Sequence, residues 1–151
     1  MTVEEFMIKE DINNYKLISK WINKKYIPGV TIDENGEFII PDNARVPYTE
    51  RGKCKKGYSM LKSFVKAYCN GKNVVPELYG ITIDKFNSIN GQLEEWGLIV
   101  KENLDGLVYY NATPLGAEFI AFTNTQINKF LQQAICSVFK GVTDSFVDRI
   151  A

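Results

Sequence analysis

Pro28-Gly29 constrains the fold of this chain more than any other feature, because it stands directly behind a two-sided helical stretch and directly ahead of an alternating one. From Asn14 to Tyr26, Ile18, Trp21 and Ile22 fall at i, i+3 and i+4, while Lys16, Lys20 and Lys24 repeat every fourth residue on another face. The first set predicts a packed face and the second a positive one. A proline ring cannot continue the helix, so the chain must turn at residue 28. Val30, Ile32, Phe38 and Ile40 then alternate around Asp33-Glu34-Asn35-Gly36, whose Asn-Gly suits the positive φ of a tight hairpin turn. Upstream, Thr2 is placed to cap a short helix through Ile8, with Glu5 three residues on completing a capping box. Two short helices and a hairpin are therefore expected before residue 48.

Trp21, Ile27-Pro28-Gly29 and Ile40-Pro41-Asp42-Asn43-Ala44, in that order and at that spacing, resemble the excisionase and MerR-like winged helix-turn-helix family over about the first third of the chain. In that family the helix matching residues 14 to 25 enters the major groove and the wing touches the flanking backbone. The resemblance implies double-stranded DNA as partner, with Asn14, Lys16, Ser19, Lys20, Asn23 and Lys24 near it.

The 151 residues allow one ordinary domain or two small ones, and 45% hydrophobic with 13% aromatic content is enough to build cores. No run approaches the roughly 18 to 20 apolar residues that a bilayer span needs, and the first five residues are acidic where a signal peptide would be basic. No membrane association and a cytoplasmic location are the resulting expectations. Cys54, Cys69 and Cys136 are odd in number and lack any C-x-x-C pair, which suits buried thiols in a reducing compartment. The formal charge is zero but unevenly placed. Arg51 to Lys72 holds seven cations and no acid, whereas residues 77 to 105 carry six acids against Lys85 and Lys101. Two readings of Arg51, Lys53, Lys55 and Lys56 stay open, a solvated linker and a phosphate-contacting one.

Residues 49 to 56 are polar, proline-bounded and glycine-containing, as a connector is. Beyond them, Met60, Leu61, Phe64, Val65 and Tyr68 keep helical spacing up to Asn70-Gly71, and residues 74 to 79 allow a short second helix. Thr82 is placed to cap a third helix through Trp96 that buries Ile83, Phe86, Ile89 and Leu93, with Gly97 as its stop. Leu98 to Val100 and Leu107 to Tyr110 read as strands joined across Asn103 to Gly106. Leu93, Gly97-Leu98-Ile99, Tyr110, Thr113-Pro114 and Gly116 resemble the corresponding region of MarR-like and PadR-like winged-helix regulators over residues 82 to 120. That resemblance implies a second module at residues 57 to 122. Its third helix would offer Lys85, Asn87, Ser88, Asn90 and Gln92 to DNA or to a protein, or simply to solvent.

A helix starting at Asn124 or Thr125 carries Ile127, Phe130, Leu131, Ala134, Ile135, Val138 and Phe139 on one stripe. Either its own domain covers that stripe or a second copy does, the latter making Ile127, Phe130, Leu131, Ala134, Ile135 and Val138 a homodimer seam. The expected fold class is mainly α with small β-hairpin wings, two winged helix-turn-helix modules at 1 to 48 and 57 to 122 plus C-terminal helices at 123 to 151. Catalysis is not expected. There is no histidine and no phosphate-cradling loop of the G-x-G-x-x-G or G-x-x-x-x-G-K type, so no metal or cofactor is anticipated. Asp144 and Asp148 fit ion pairing with Lys140 and Arg149 better than acid–base work. Together the two resemblances imply a sequence-specific DNA-binding protein, a transcriptional regulator or recombination accessory factor of a mobile element such as a phage, plasmid or transposon. The alternative is a protein-binding factor or inhibitor acting through the acidic second module or the C-terminal helices, its helix-turn-helix being autoregulatory.

Overall fold

A computed structural model describes residues 1–48 and 58–135, without the side chains of 134 and 135. The described chain is mainly helical with two small antiparallel two-stranded sheets. Arg51, Lys53, Cys54, Lys55, Lys56, Cys136 and Val138 lie outside the described residues, as do the charged pairs near residue 144.

Helix α1 spans Val3–Glu10 and α2 spans Tyr15–Asn23, each started by the side chain the sequence offers. Thr2 Oγ1 accepts from the Glu5 amide at 3.2 Å, and Asn14 Oδ1 accepts from the Leu17 amide at 3.2 Å. α1 runs two residues past Ile8. Both helices end in the same six-residue closure, which normally requires glycine at its left-handed position. Here that position is Asp11 (φ 54) after α1 and Lys25 (φ 62) after α2, with Ile12 N–H donating to Met7 O and Tyr26 N–H to Trp21 O. The chain then forms β1 (Thr31–Ile32) and β2 (Phe38–Ile39), closed through Asp33, whose Oδ1 accepts from the Asn35 and Glu37 amides. These strands are so short that the expected inward alternation fails at Ile32, which stays 64% exposed.

Phe6, Ile18, Trp21, Ile22, Ile27 and Ile40 are buried together as the first core, so the α2 stripe packs as its spacing demands.

The second core gathers on α3 (Tyr58–Cys69), whose Leu61, Phe64 and Val65 are fully buried. A four-residue α4 (Pro76–Tyr79) leads to α5 (Ile83–Glu95), capped by Thr82 and stopped by Gly97. β3 (Ile99–Leu104) and β4 (Leu107–Ala112) follow, longer than their sequence suggests. The first strand, expected to end at Val100 with the connection starting at Asn103, continues through Lys101, Glu102 and Asn103, which pair with Tyr110, Tyr109 and Val108 in an exposed hairpin. Its turn is only Asp105-Gly106, both at positive φ.

Thr113 caps α6 (Pro114–Phe119) through the Gly116 amide and donates to Gly97 O at 2.6 Å, tying the hairpin base shut. A Cβ at Gly116 would stand 2.2 Å from Leu98 O, so the closeness of α6 to β3 explains that glycine.

Helix α7 (Asn124–Ile135) starts at Asn124, the first of the two positions the sequence offers, behind a capping box at Thr123. Thr123 N–H donates to Gln126 Oε1 and Gln126 N–H to Thr123 Oγ1. Ile127 and Leu131 are fully buried in the second core, and Phe130 packs on Phe119 and Phe122 with ring centres 5.8 and 6.0 Å away. At these three positions, of the two covers the sequence allows, the stripe is covered by its own chain, while the side chains of Ala134 and Ile135, and Val138, lie outside the described residues. Lys62 Nζ donates to Phe122 O and Tyr58 to Asn128 Oδ1, pinning α7 against α3. Cys69 is also corrected, being exposed at the end of α3.

The two cores interlock. Tyr48 belongs to the second and Val75 to the first. Tyr48 N–H donates to Asn73 O at 2.7 Å and Asn73 N–H to Val46 O at 3.0 Å.

Two packing results follow. Trp21→Ala should cost about 3 to 5 kcal/mol in urea unfolding, since it fills the first core. Near-wild-type stability would contradict that placement. Gly116→Ala should destabilise by roughly 1 to 3 kcal/mol or more through the clash with Leu98, while Gly91→Ala, with nothing within 4 Å of the new Cβ, should stabilise by up to about 1 kcal/mol. Equal effects at the two glycines would refute the close approach.

Candidate nucleic-acid interface

Because Ile18, Trp21 and Ile22 are drawn inward, the rest of α2 is forced outward, and Tyr15, Lys16, Ser19, Lys20, Asn23 and Lys24 line one shallow groove. Lys16, Lys20, Asn23 and Lys24 are exposed and Ser19 is half-buried. No carboxylate lines the groove, and none of its three lysines enters an ion pair among the described residues. Their charge is thus left to water. Asn14 stands at the N-terminal edge of this face, its side-chain oxygen already used to cap the helix. Tyr15, half exposed, adds an aromatic ring beside the cations.

The neighbouring hairpin is different in charge. Asp33, Glu34 and Glu37 sit at its tip, and Asp33 is turned into the loop by its two amide contacts. A polyanion approaching α2 would be repelled there, so attraction on this side must come from the helix.

On the second unit the polar residues of α5 divide. Asn87 and Ser88 are exposed, Lys85 and Gln92 are half-buried, and Gln92 leans on Glu95 at 3.5 Å. Asn90 is corrected as a contact residue: it is fully buried, and its Oδ1 accepts from the Tyr68 hydroxyl at 2.7 Å. Position 90 falls beside Phe86, Ile89 and Leu93 on the inward stripe, and a polar side chain is tolerated there because Tyr68 meets it. Burial drives the Tyr68 hydroxyl far above its ordinary range, with the Asn90 bond pulling the other way. That hydroxyl is a neutral donor. Ile83, expected inside, is 66% exposed.

Arg45 is the residue that reading the sequence misses. Its Nη1 donates to Tyr110 O at 2.5 Å and its Nη2 to Asn111 Oδ1 at 2.6 Å, while the guanidinium carbon lies 4.7 Å from the Tyr109 ring centre. Asn111 Nδ2 in turn donates to Glu102 Oε2. Partial burial lowers the Arg45 pKa, and Tyr109 and Glu102 oppose the shift. Nothing local to Asn43-Ala44-Arg45-Val46 signals this, because all the partners are some 65 residues away. A second bond across the same junction runs from the Tyr26 hydroxyl to Glu77 Oε2 at 2.6 Å, and it raises the Tyr26 pKa.

No protein-family model, curated protein or solved structure matches the chain. Among the described residues no helix is long and apolar enough to cross a membrane.

The split between Asn90 and Asn87 is open to measurement. Asn90→Ala should cost about 1 to 3 kcal/mol because it strands the buried Tyr68 hydroxyl, whereas Asn87→Ala should stay within about 0.5 kcal/mol. Comparable losses at both positions would place Asn90 on the surface after all.

Proposed function

We propose that the protein is a cytoplasmic, sequence-specific binder of double-stranded DNA, acting as a transcriptional regulator or recombination accessory factor of a mobile element. In this reading the α1–α2 pair with its hairpin is one winged helix-turn-helix, and α3 to α6 with the longer hairpin are a second winged module. α2 is the reading helix. The observation that carries the reading is the exposed α2 face, where three lysines with no ion pair among the described residues repeat along a groove that no described acid lines. Lysines in that state release counterions when they meet phosphate, which is the main sequence-independent source of DNA affinity. Asn23 is the candidate base reader, since an amide can donate and accept at an adenine edge. Lys16, Lys20 and Lys24 are candidate phosphate contacts. The cations at 51, 53, 55 and 56 would add to them in the same reading.

A second reading, protein binding through α5, is favoured by one observation. The exposed part of that helix carries Asp84, Glu94 and Glu95 beside Asn87 and Ser88, a composition that repels phosphate.

Affinity against salt separates the two. With about five phosphate contacts, log K against log salt should fall with a slope of roughly −4 to −5 in a mobility-shift assay on DNA flanking the protein's own gene. Lys20→Ala should make the slope shallower by about one, and Asn23→Ala should change sequence preference more than salt response. Absence of binding, or a slope near zero, would defeat the DNA reading and leave the protein-binding one.

A further inference from the structure

The first unit carries two exposed surfaces of opposite charge that do not meet within one chain. One is the α2 groove, with Lys16, Lys20 and Lys24 beside the half-exposed ring of Tyr15. The other is the outer face of the β1–β2 hairpin. Thr31 pairs with Ile39 and Ile32 with Phe38, and the Asp33 N–H donating to Glu37 O carries the same register one step further. Alternation along the strands therefore puts Thr31, Asp33, Glu37 and Ile39 on one side and Phe38 on the other. Phe38 packs on the first core, so the side with Glu37 and Ile39 faces outward. Glu34 adds an exposed carboxylate at the turn.

Among the described residues, none of Lys16, Lys20 and Lys24 and none of Asp33, Glu34 and Glu37 enters an ion pair. The chain passes from α2 to the hairpin within a few residues, and both elements pack into the first core. Neighbouring surfaces that complement each other but do not pair in one chain are satisfied twice at once when a two-fold axis relates two copies.

Charge alone holds little at an exposed surface. Each surface here also has an apolar centre, Tyr15 on the groove at 52% exposure and Ile39 with Ile32 on the hairpin at 36% and 64%. An apolar centre inside a charged rim is the composition of a protein interface.

We propose that the first hairpin of one copy docks on the α2 groove of a second copy, and reciprocally, as a symmetric dimer in which each lysine face is closed by the partner's hairpin. The occupant is the chain itself, because both halves of the match are its own. A polyanion and the hairpin of a second copy compete for the same lysines, so the dimer is the resting form and the monomer is the form free to bind. That competition rests on the DNA reading of α2, and the dimer does not.

Sedimentation velocity of the full chain without DNA tests this. At about 100 µM protein and low salt the mass should approach twice 17.2 kDa, with a dissociation constant on the order of 10 µM for so small an interface. Raising salt from about 50 to about 500 mM should weaken association at least about fivefold, because exposed charge pairs are screened. Lys16→Glu with Lys20→Glu in one variant, and Glu34→Lys with Glu37→Lys in another, should each give monomers that keep the wild-type circular dichroism. Mixed in equal amounts, the two variants should form a dimer again, since an acidic groove then meets a basic hairpin and a basic groove an acidic one. A monomeric wild-type chain overturns the proposal. So does a dimer that survives in either variant, which puts the seam elsewhere, and so does a mixture that stays monomeric. With no DNA present, a failure of the DNA reading leaves these masses unchanged.

Discussion

A unit of 48 residues made of two short helices and two-residue strands buries too little of its own surface to be secure alone, since even a 60-residue domain removes only about 60% of its unfolded surface from water. The junction with the second unit supplies the remainder. Val75 adds one more apolar side chain to the first core, worth about 1.5 to 3 kcal/mol if fully buried. Tyr48 makes the reverse exchange. Arg45 then fixes the two bodies with two hydrogen bonds and a ring contact, in a planar fork that lysine could not reproduce. Through this junction α2 has a set orientation relative to the second unit.

The same junction marks the limit of what the sequence discloses. The starts of α1 and α5 were legible because a cap is a local event: Thr2 and Thr82 each act within three residues of themselves, whereas Asn14, read as a contact residue, turned out to be the cap of α2. The α2 lysine face was legible for a similar reason, since Ile18, Trp21 and Ile22 leave only one side for water. Asn90, Ile83 and Arg45 were not. Their environments are decided by Tyr68, by the edge of a cavity and by β4, all distant in the chain, and residue type alone assigns Asn to solvent and Ile to the core. The α7 stripe shows the intermediate case, in which burial was legible but its cover was not. Lys62 and Tyr58 of α3, which pin α7 in place, have no sequence signal that names their partners.

Formal neutrality conceals a separation of charge that the fold preserves. Lys16, Lys20 and Lys24 stay apart from every described acid, even though the Asp33 to Glu37 tip belongs to the same small unit. Had the tip carried lysines, helix and hairpin would both attract phosphate. In the proposed DNA reading, attraction on this unit comes from the helix and repulsion from the hairpin, so the acidic hairpin would narrow the footprint without removing it.

The closure of α2 turns three consecutive side chains toward three different surroundings. Lys24 belongs to the outer groove, Lys25 to the wall of a cavity between the two units, and Tyr26 to the junction through Glu77. These three consecutive residues are held by the Lys25-to-Ile22 and Tyr26-to-Trp21 backbone bonds, so none moves without disturbing its neighbours. In the proposed DNA reading, a change that breaks the Tyr26–Glu77 bond would therefore disturb the last turn of the reading helix and its Lys24 as well, although neither Tyr26 nor Glu77 lines the outer groove.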